Sequence, residues 1–288
     1  MKYMDRNGKA YSEITSQDRF LEVAYSSKTG RILLKFLSLP VFSKAIRYIM
    51  NSRISTVAIP SFVEKNHIDL FDYEQKVYTS FNDFFTRKIK KGRRFVTADD
   101  NILVSPCDGK VSAYEITNSD SFVIKNSVYT VESLLRDKKL ARRYKGGIAL
   151  VIRLSVENYH RYIYPCNGVK SHDRVINGFL QTVNPVVNEH YPVYKENTRE
   201  YCLIRSENFG DIVQMEVGAL MVGRISNNCK DKKKVHRGEE KGFFEFGGST
   251  IVLLLEKDKV RLSPDFVENT KKGYETKVIQ GEALGCKF

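Results

Sequence analysis

From about residue 100 onward the chain is a succession of short runs rich in β-branched and aromatic residues, separated by Gly, Asn, Asp and Pro. "NILVS", "KVSAYEI", "SFVIK", "IALVIRL", "GFLQTV", "YCLIRS", "IVQMEVGALMVGRI" and "TIVLLLEK" follow one another at spacings that predict a mainly antiparallel β domain, barrel-like or sandwich-like. "TVESLLRDKKLARRY" interrupts the series as a predicted helix. No internal repeat and no low-complexity linker is evident.

The first ninety or so residues read differently. "TGRILLKFLSLPVFSKAIRYIM" sets Arg31 four residues from Lys35 and Lys44 three from Arg47, which puts each basic pair on one helical face. Pro40 separates two predicted helices. Basic amphipathic helices can lie on anionic lipid, and the same faces would serve equally to pack on the rest of the protein. "SFNDFFTRKIKKGRRF" then predicts a short helix capped by Asn82 or Asp83, followed by a dense basic run. The expected class is α+β: residues 1–95 a helical, basic, membrane-contacting region, and residues 96–288 a β-rich catalytic domain.

Charge and cysteine usage narrow the function. A net charge of +13 points to a polyanionic partner, either nucleic acid or an anionic membrane surface. No aromatic-basic RNA signature or DNA-reading helix is evident, which disfavours nucleic acid. Five scattered cysteines without a C-x-x-C pair predict reduced thiols, with no disulfide framework and no zinc site. The opening "MKYMDRNGKAYSEI" has no apolar core of a signal peptide, and no run approaches the roughly 20 apolar residues of a membrane span.

Within "FFEFGGSTIVLLLEKDKV", Gly247, Gly248, Ser249 and Thr250 interrupt what would otherwise be a good buried strand. Strand glycines weaken packing and mark bulges or close backbone approach. With no side chain at Gly248, the backbone can bend so that the Ser249 hydroxyl faces the carbonyl of its own preceding peptide bond. A base could then take its proton, and an ester would replace the peptide bond. Loss of the Ser249 Cα proton would cut that ester, and the dehydroalanine left behind would hydrolyse to a pyruvoyl group. Two further polar points stand out: Asp108 in the turn "SPCDGK" and His160 in "ENYHRYIYPCNG". Turn aspartates commonly cap their own backbone, and a lone histidine among tyrosines commonly has a structural role. No G-x-S-x-G elbow surrounds Ser249, which disfavours an ordinary α/β-hydrolase, and no Walker or G-x-G-x-x-G sequence is present.

"FFEFGGST", "SPCDGK", "FNDFFTRKIKKGRR", "NYHRYIYPCNG", "GFLQTVNP", "NTREY" and "MEVGALMVGRI" together resemble the phosphatidylserine decarboxylase proenzymes of clostridium-like bacteria. The resemblance implies self-cleavage between Gly248 and Ser249. A β chain, residues 1–248, would stay with an α chain, residues 249–288, that begins with a pyruvoyl cofactor derived from Ser249. It implies that Asp108 orients or charge-stabilises a histidine base and that His160 is the first histidine of the family's Y-H-R motif. It also implies a Schiff base with phosphatidylserine, release of phosphatidylethanolamine and carbon dioxide, no metal, and a peripheral location on the cytoplasmic side of the cell membrane.

Two positions depart from the family pattern. Many members carry a second histidine three residues after the first, usually given the base role in self-cleavage, where this chain has Ile163. His160 would then serve both steps, or another group would substitute; Tyr162, Tyr164, His172, His190 and His236 are the candidates. Phe95 stands where proline usually follows Arg94. A non-processing homologue, or a pyruvoyl decarboxylase of another amine-bearing acid, is the alternative reading. Pairing as a homodimer stays open.

Overall fold

The run STIVLLL, Ser249–Leu255, is buried at every position. A strand can be apolar without alternation only where both faces of its sheet are covered. A computed structural model of the chain describes residues 2–12, 27, 40–124, 127–178, 197–218, 224–247 and 249–288, and this run lies at the middle of its largest sheet. Arg31, Lys35, His190, Gly248, most of "GFLQTVNP" and the centre of "MEVGALMVGRI" lie outside the described residues.

In chain order the strands of the first half are β1 (Lys2–Met4), β2 (Ala10–Ser12), β3 (Ile102–Val104), β4 (Gly109–Glu115), β5 (Ser121–Ile124), β6 (Ser127–Thr130) and β7 (Ile148–Leu154). There follow β8 (Arg161–Ile163), β9 (Gly168–Lys170), β10 (Arg174–Ile176), β11 (Arg199–Ser206), β12 (Gly210–Gly218) and β13 (Ile225–Asn227). The last are β14 (Lys233–Val235), β15 (Glu240–Phe244), β16 (Ser249–Leu255), β17 (Val260–Leu262), β18 (Glu275–Val278) and β19 (Ala283–Lys287). The α-helices are α1 (Pro40–Met50), α2 (Ile59–Lys65), α3 (Phe81–Phe85), α4 (Val131–Leu135), α5 (Lys138–Ala141) and α6 (Pro264–Lys271).

The main sheet runs β14-β9-β11-β12-β16-β7-β4-β18-β1-β2, with β10 also on β11, and every pairing is antiparallel except β1 with β18. Its ends do not meet among the described residues, so the barrel-like form of the expected fold is not realised; the sheet is open and layered. Side chains alternate between two cores, as period-two strands require. Ile251, Leu253 and Leu255 of β16 join Leu150 and Ile152 of β7 in one core. That core is covered by the small sheets β13-β15-β8 and β17-β19-β3, and by α6. Val252 and Leu254 face the other core with Val151, Met215 and Val217, beneath the β5-β6 hairpin and α4. Each fully buried aliphatic side chain contributes about 1.5–3 kcal/mol.

The start of the chain departs from the helical expectation. Lys2–Met4 and Ala10–Ser12 are strands that extend the sheet beyond β18, with Tyr3 stacked on Tyr11 at 5.0 Å. Tertiary pairing overrides local composition there, because β18 offers an open ladder edge. Helices do occupy residues 40–85. The proline that opens α1 has no N–H to leave unpaired in a first turn. The Ser80 hydroxyl accepts the Asp83 N–H and caps α3. Phe81, Phe84 and Phe85 form a third core with Phe62, Tyr78 and Phe246. Through Phe246, the helical region packs directly on the segment that precedes Ser249.

Candidate active site

At the end of β7 the chain turns. The Ser155 N–H donates to Asn158 Oδ1 at 2.8 Å, and the Asn158 N–H returns to the Ser155 carbonyl at 3.0 Å. That turn delivers His160 to the head of β8, where its carbonyl accepts the Phe244 N–H at 2.9 Å. The imidazole is fully buried against Phe85, with ring centroids 4.1 Å apart. Its Nδ1 lies 2.9 Å from the Asn158 carbonyl oxygen. A carbonyl only accepts, so Nδ1 carries the hydrogen and Nε2 is left with a free lone pair. Nε2 is buried with no hydrogen-bond partner among the described residues. Burial, followed by the nearby Arg87 charge, lowers the His160 pKa to about 3, so the ring is neutral.

Ser249 heads β16, opposite Leu154 of β7 on one side and Gly218 of β12 on the other. Its Oγ is buried and, like Nε2 of His160, has no partner among the described residues. Asn197 of the "NTREY" stretch is buried and donates to the Gly218 carbonyl at 2.8 Å, steadying the strand end beside the serine. The residues before Ser249 are held one after another. The Glu245 N–H donates to the Arg224 carbonyl at 3.0 Å, and the Phe246 N–H donates to Asn82 Oδ1 at 3.0 Å. Gly247 follows at φ +142°, a conformation that side-chain-bearing residues rarely adopt. Ser249 and His160 are tied together on both sides, by the Leu154 pairing and by the Phe244 hydrogen bond. Phe85 touches both parts of the site, since it also packs edge-on against Phe246 with centroids 5.2 Å apart.

Asp108 sits one residue before β4. Gly109 explains why that strand can close on β7: a Cβ there would lie 2.8 Å from the Arg153 carbonyl oxygen. At the usual strand spacing, Gly109 is two strands, or about 10 Å, from Ser249. The buried Asp108 carboxylate accepts from Arg94 Nε at 3.2 Å, Arg94 Nη2 at 2.7 Å and the Gln280 N–H at 2.8 Å. Gln280 Nε2 in turn donates to the Arg161 carbonyl at 2.8 Å. Asp108 therefore reaches the histidine segment through Gln280. There is no hydrogen bond between Asp108 and His160 among the described residues, and the partner that orients the ring is Asn158.

Of the remaining base candidates, His190 lies outside the described residues, and none of the others is placed to serve. Ile163 is buried in β8. Tyr162 donates to Asn227 Oδ1 at 3.1 Å, and burial drives the pKa values of both Tyr162 and Tyr164 far above the ordinary tyrosine value. His172 is exposed beside Asp231, and His236 is also exposed. Sequence reasoning gave Asn82 or Asp83 only as a helix cap, a place that Ser80 takes, and missed Phe85 and Gln280. The one available signal was an asparagine set among phenylalanines in "FNDFF", where a buried amide must find partners. It also missed a fully buried ion pair, Glu216 Oε2 to Lys241 Nζ at 2.5 Å, on the core side of β12. Burial alone would lower the Lys241 pKa, but the Glu216 carboxylate raises it above the ordinary lysine value. The basic run is only partly a surface. Arg87 is buried over Tyr73, 4.3 Å from its ring centroid, and Arg94 is engaged by Asp108, so neither forms part of an exposed patch.

Comparison with known proteins puts the chain in a class of carboxy-lyases. A family profile described as Phosphatidylserine decarboxylase matches residues 81–286. The phosphatidylserine decarboxylase proenzyme 2 of Clostridium acetobutylicum is 45% identical over 276 residues, covering 96% of this chain and 94% of that one. The phosphatidylserine decarboxylase proenzymes of Clostridium botulinum strain Langeland and of Clostridium tetani are 40% and 38% identical, each match covering 100% of this chain and 99% of the relative. The chain belongs to the phosphatidylserine decarboxylase family.

Proposed function

We propose that the chain is a proenzyme that cuts itself between Gly248 and Ser249 and then decarboxylates phosphatidylserine to phosphatidylethanolamine and carbon dioxide. The observation that carries this reading is the pair of buried, partnerless atoms, Ser249 Oγ and His160 Nε2, at the two ends of one braced segment. A buried hydroxyl or imidazole nitrogen left unsatisfied costs stability, and such groups persist where chemistry uses them.

In maturation, Ser249 Oγ attacks the Gly248 carbonyl carbon while His160 Nε2 takes the hydroxyl proton. The C–N bond breaks, the proton passes to the departing amine, and an ester remains. Removal of the Ser249 Cα proton then expels the Gly248 carboxylate. Addition of water and loss of ammonia leave a ketone at the head of residues 249–288, separate from residues 1–248. The residues present suit this group: its parent serine is buried at a strand end, shielded from bulk water and opposite a glycine. The pyruvoyl group supplies a carbonyl that takes an amine and accepts the electrons freed when a carboxylate leaves. His160, neutral and held by Asn158, is the group that moves protons at Nε2. Asp108, locked by Arg94, steadies the backbone after His160 through Gln280. Because Ile163 cannot move a proton, His160 serves both stages.

We also propose that the protein works at an anionic membrane surface as a peripheral protein. No helix among the described residues is long and apolar enough to cross a membrane. Tyr48, Ile54, Val57, Phe71 and Phe95 are exposed apolar side chains in the helical region and the basic run, in the same stretch as the exposed Lys44, Arg53, Lys88, Lys91 and Arg93. Each such cation near anionic lipid adds roughly 1 kcal/mol of attraction.

Intact-mass spectrometry of the purified full chain tests the core of this reading. Two chains are expected, the smaller beginning with a keto-acyl group, and Ser249→Ala should give one. A single uncut chain in wild-type material that decarboxylates phosphatidylserine would overturn it.

A further inference from the structure

The helix of "FNDFF" has a single buried amide, and all of its contacts face the segment ahead of Ser249 or the helical region behind it. Asn82 is 8% exposed. Its Oδ1 accepts the Phe246 N–H at 3.0 Å, and its Nδ2 donates to Asn51 Oδ1 at 3.2 Å. The helix that carries it is fixed at its start, because the Phe81 N–H donates to Ser55 Oγ at 2.8 Å and Ser80 caps the first turn. Phe81 and Phe85, either side of this register, hold the Phe246 ring edge-on at 5.1 Å and 5.2 Å. The backbone at Phe246 is thus gripped by one side-chain hydrogen bond and two rings, immediately before the positive-φ Gly247.

We propose that Asn82 is a positioning residue for self-cleavage, fixing the Phe246 backbone so that the Gly248–Ser249 peptide bond is presented to the Ser249 hydroxyl. The inference rests on the self-cleavage reading and adds a residue to it. Serine attack on its own preceding carbonyl needs a peptide turned out of ordinary strand geometry, and proximity of this kind is lost through small displacements. A glycine at φ +142° leaves the chain free to take many other conformations, so the turn has to be imposed from outside the loop. Among the described residues, Phe246 N–H is the backbone donor closest in sequence to the scissile bond with a side-chain acceptor, and that acceptor belongs to Asn82.

The test follows maturation of the full chain during cell-free synthesis, by intact mass, for wild type, Asn82→Ala and Asn82→Asp, with and without hydroxylamine. Hydroxylamine cleaves the ester, giving a Gly248 hydroxamate and a free serine amine at residue 249. Asn82→Ala is expected to slow appearance of the small chain about tenfold or more, the loss of one acceptor to a buried N–H. Hydroxylamine should not restore the rate, because the ester itself forms slowly. Asn82→Asp keeps the acceptor oxygen and is expected to mature within about threefold of wild type. Melting of each variant in a Ser249→Ala background should fall by no more than the few degrees that one lost hydrogen bond costs. Wild-type rates in Asn82→Ala, equal slowing in both variants, or full rescue of Asn82→Ala by hydroxylamine would each overturn the assignment. Should Asn82→Ala fail to fold, Asn51→Ala decides: it frees the Asn82 amide while leaving its oxygen, and maturation should slow several-fold with melting lowered by no more than a few degrees, or the assignment falls. An uncut wild-type chain would instead remove the self-cleavage reading on which the inference rests.

Discussion

His160 is held neutral by its surroundings, and that has a measurable consequence in acid. Its pKa falls from the ordinary 6.5 to about 3, chiefly through complete burial and then through the Arg87 charge. Below pH 6.5 the unfolded chain takes up a proton on this imidazole that the folded chain refuses, so acid favours unfolding. At pH 4.5, two units below the unfolded value and still above the folded one, the penalty is about 2.7 kcal/mol. The penalty is absent near pH 8 and grows through the window between 6.5 and 3. The assay is denaturant unfolding at pH 8 and pH 4.5 of Ser249→Ala and of Ser249→Ala/His160→Gln, both of which remain single chains. Carboxylates and the other histidines titrate alike in the two, so the difference in acid sensitivity isolates His160. The parent should lose roughly 2–3 kcal/mol more than the His160→Gln variant between the two pH values. Equal losses would show that the imidazole is hydrated or protonated in the folded chain, and its Nε2 would no longer qualify as a ready base.

The buried Glu216–Lys241 pair makes a second prediction. Glu216→Gln leaves a sealed ammonium without its counter-charge and should cost about 3–5 kcal/mol, read as a fall in melting temperature of roughly 10 °C, while Glu216→Gln/Lys241→Met should recover most of the loss. At the surface, sedimentation with vesicles should show binding to anionic lipid that weakens as salt rises, reduced by Lys88→Glu/Lys91→Glu; equal binding to neutral and anionic vesicles would remove the electrostatic part of the membrane reading.

Much of the β region could be read directly from the chain. A run such as STIVLLL carries its own signal, because continuous apolarity in a short β-branched stretch demands cover on both faces. Gly247 and Ser249 were legible for the opposite reason: glycines and small polar residues inside such a run are a local cost that draws attention. The turn "SPCDGK" was legible as a turn, and its Gly109 is the residue that lets β4 approach β7.

Other features depended on partners distant in sequence. Lys2–Met4 is a strand that pairs with β2 nearby and joins the main sheet through β18, more than 250 residues later, which offers an edge for parallel pairing. Arg87 looked like one more cation in a basic run, yet it is buried over the ring of Tyr73. Asp108 was expected to orient or charge-stabilise the histidine; Arg94 and Gln280 reach its carboxylate, while the histidine ring is hydrogen-bonded to a carbonyl of its own turn.

What this sequence determined by itself was a set of short strands, a weakened strand start at Ser249, and three polar residues on which the proposed chemistry draws. Only the tertiary structure decided that Asn158 would set the imidazole tautomer and that Asn82 would hold the segment before the serine. Local periodicity and turn chemistry act over a few residues and are written in order along the chain. Hydrogen-bond partners and burial are properties of the folded neighbourhood, where residues 82, 160 and 246 meet.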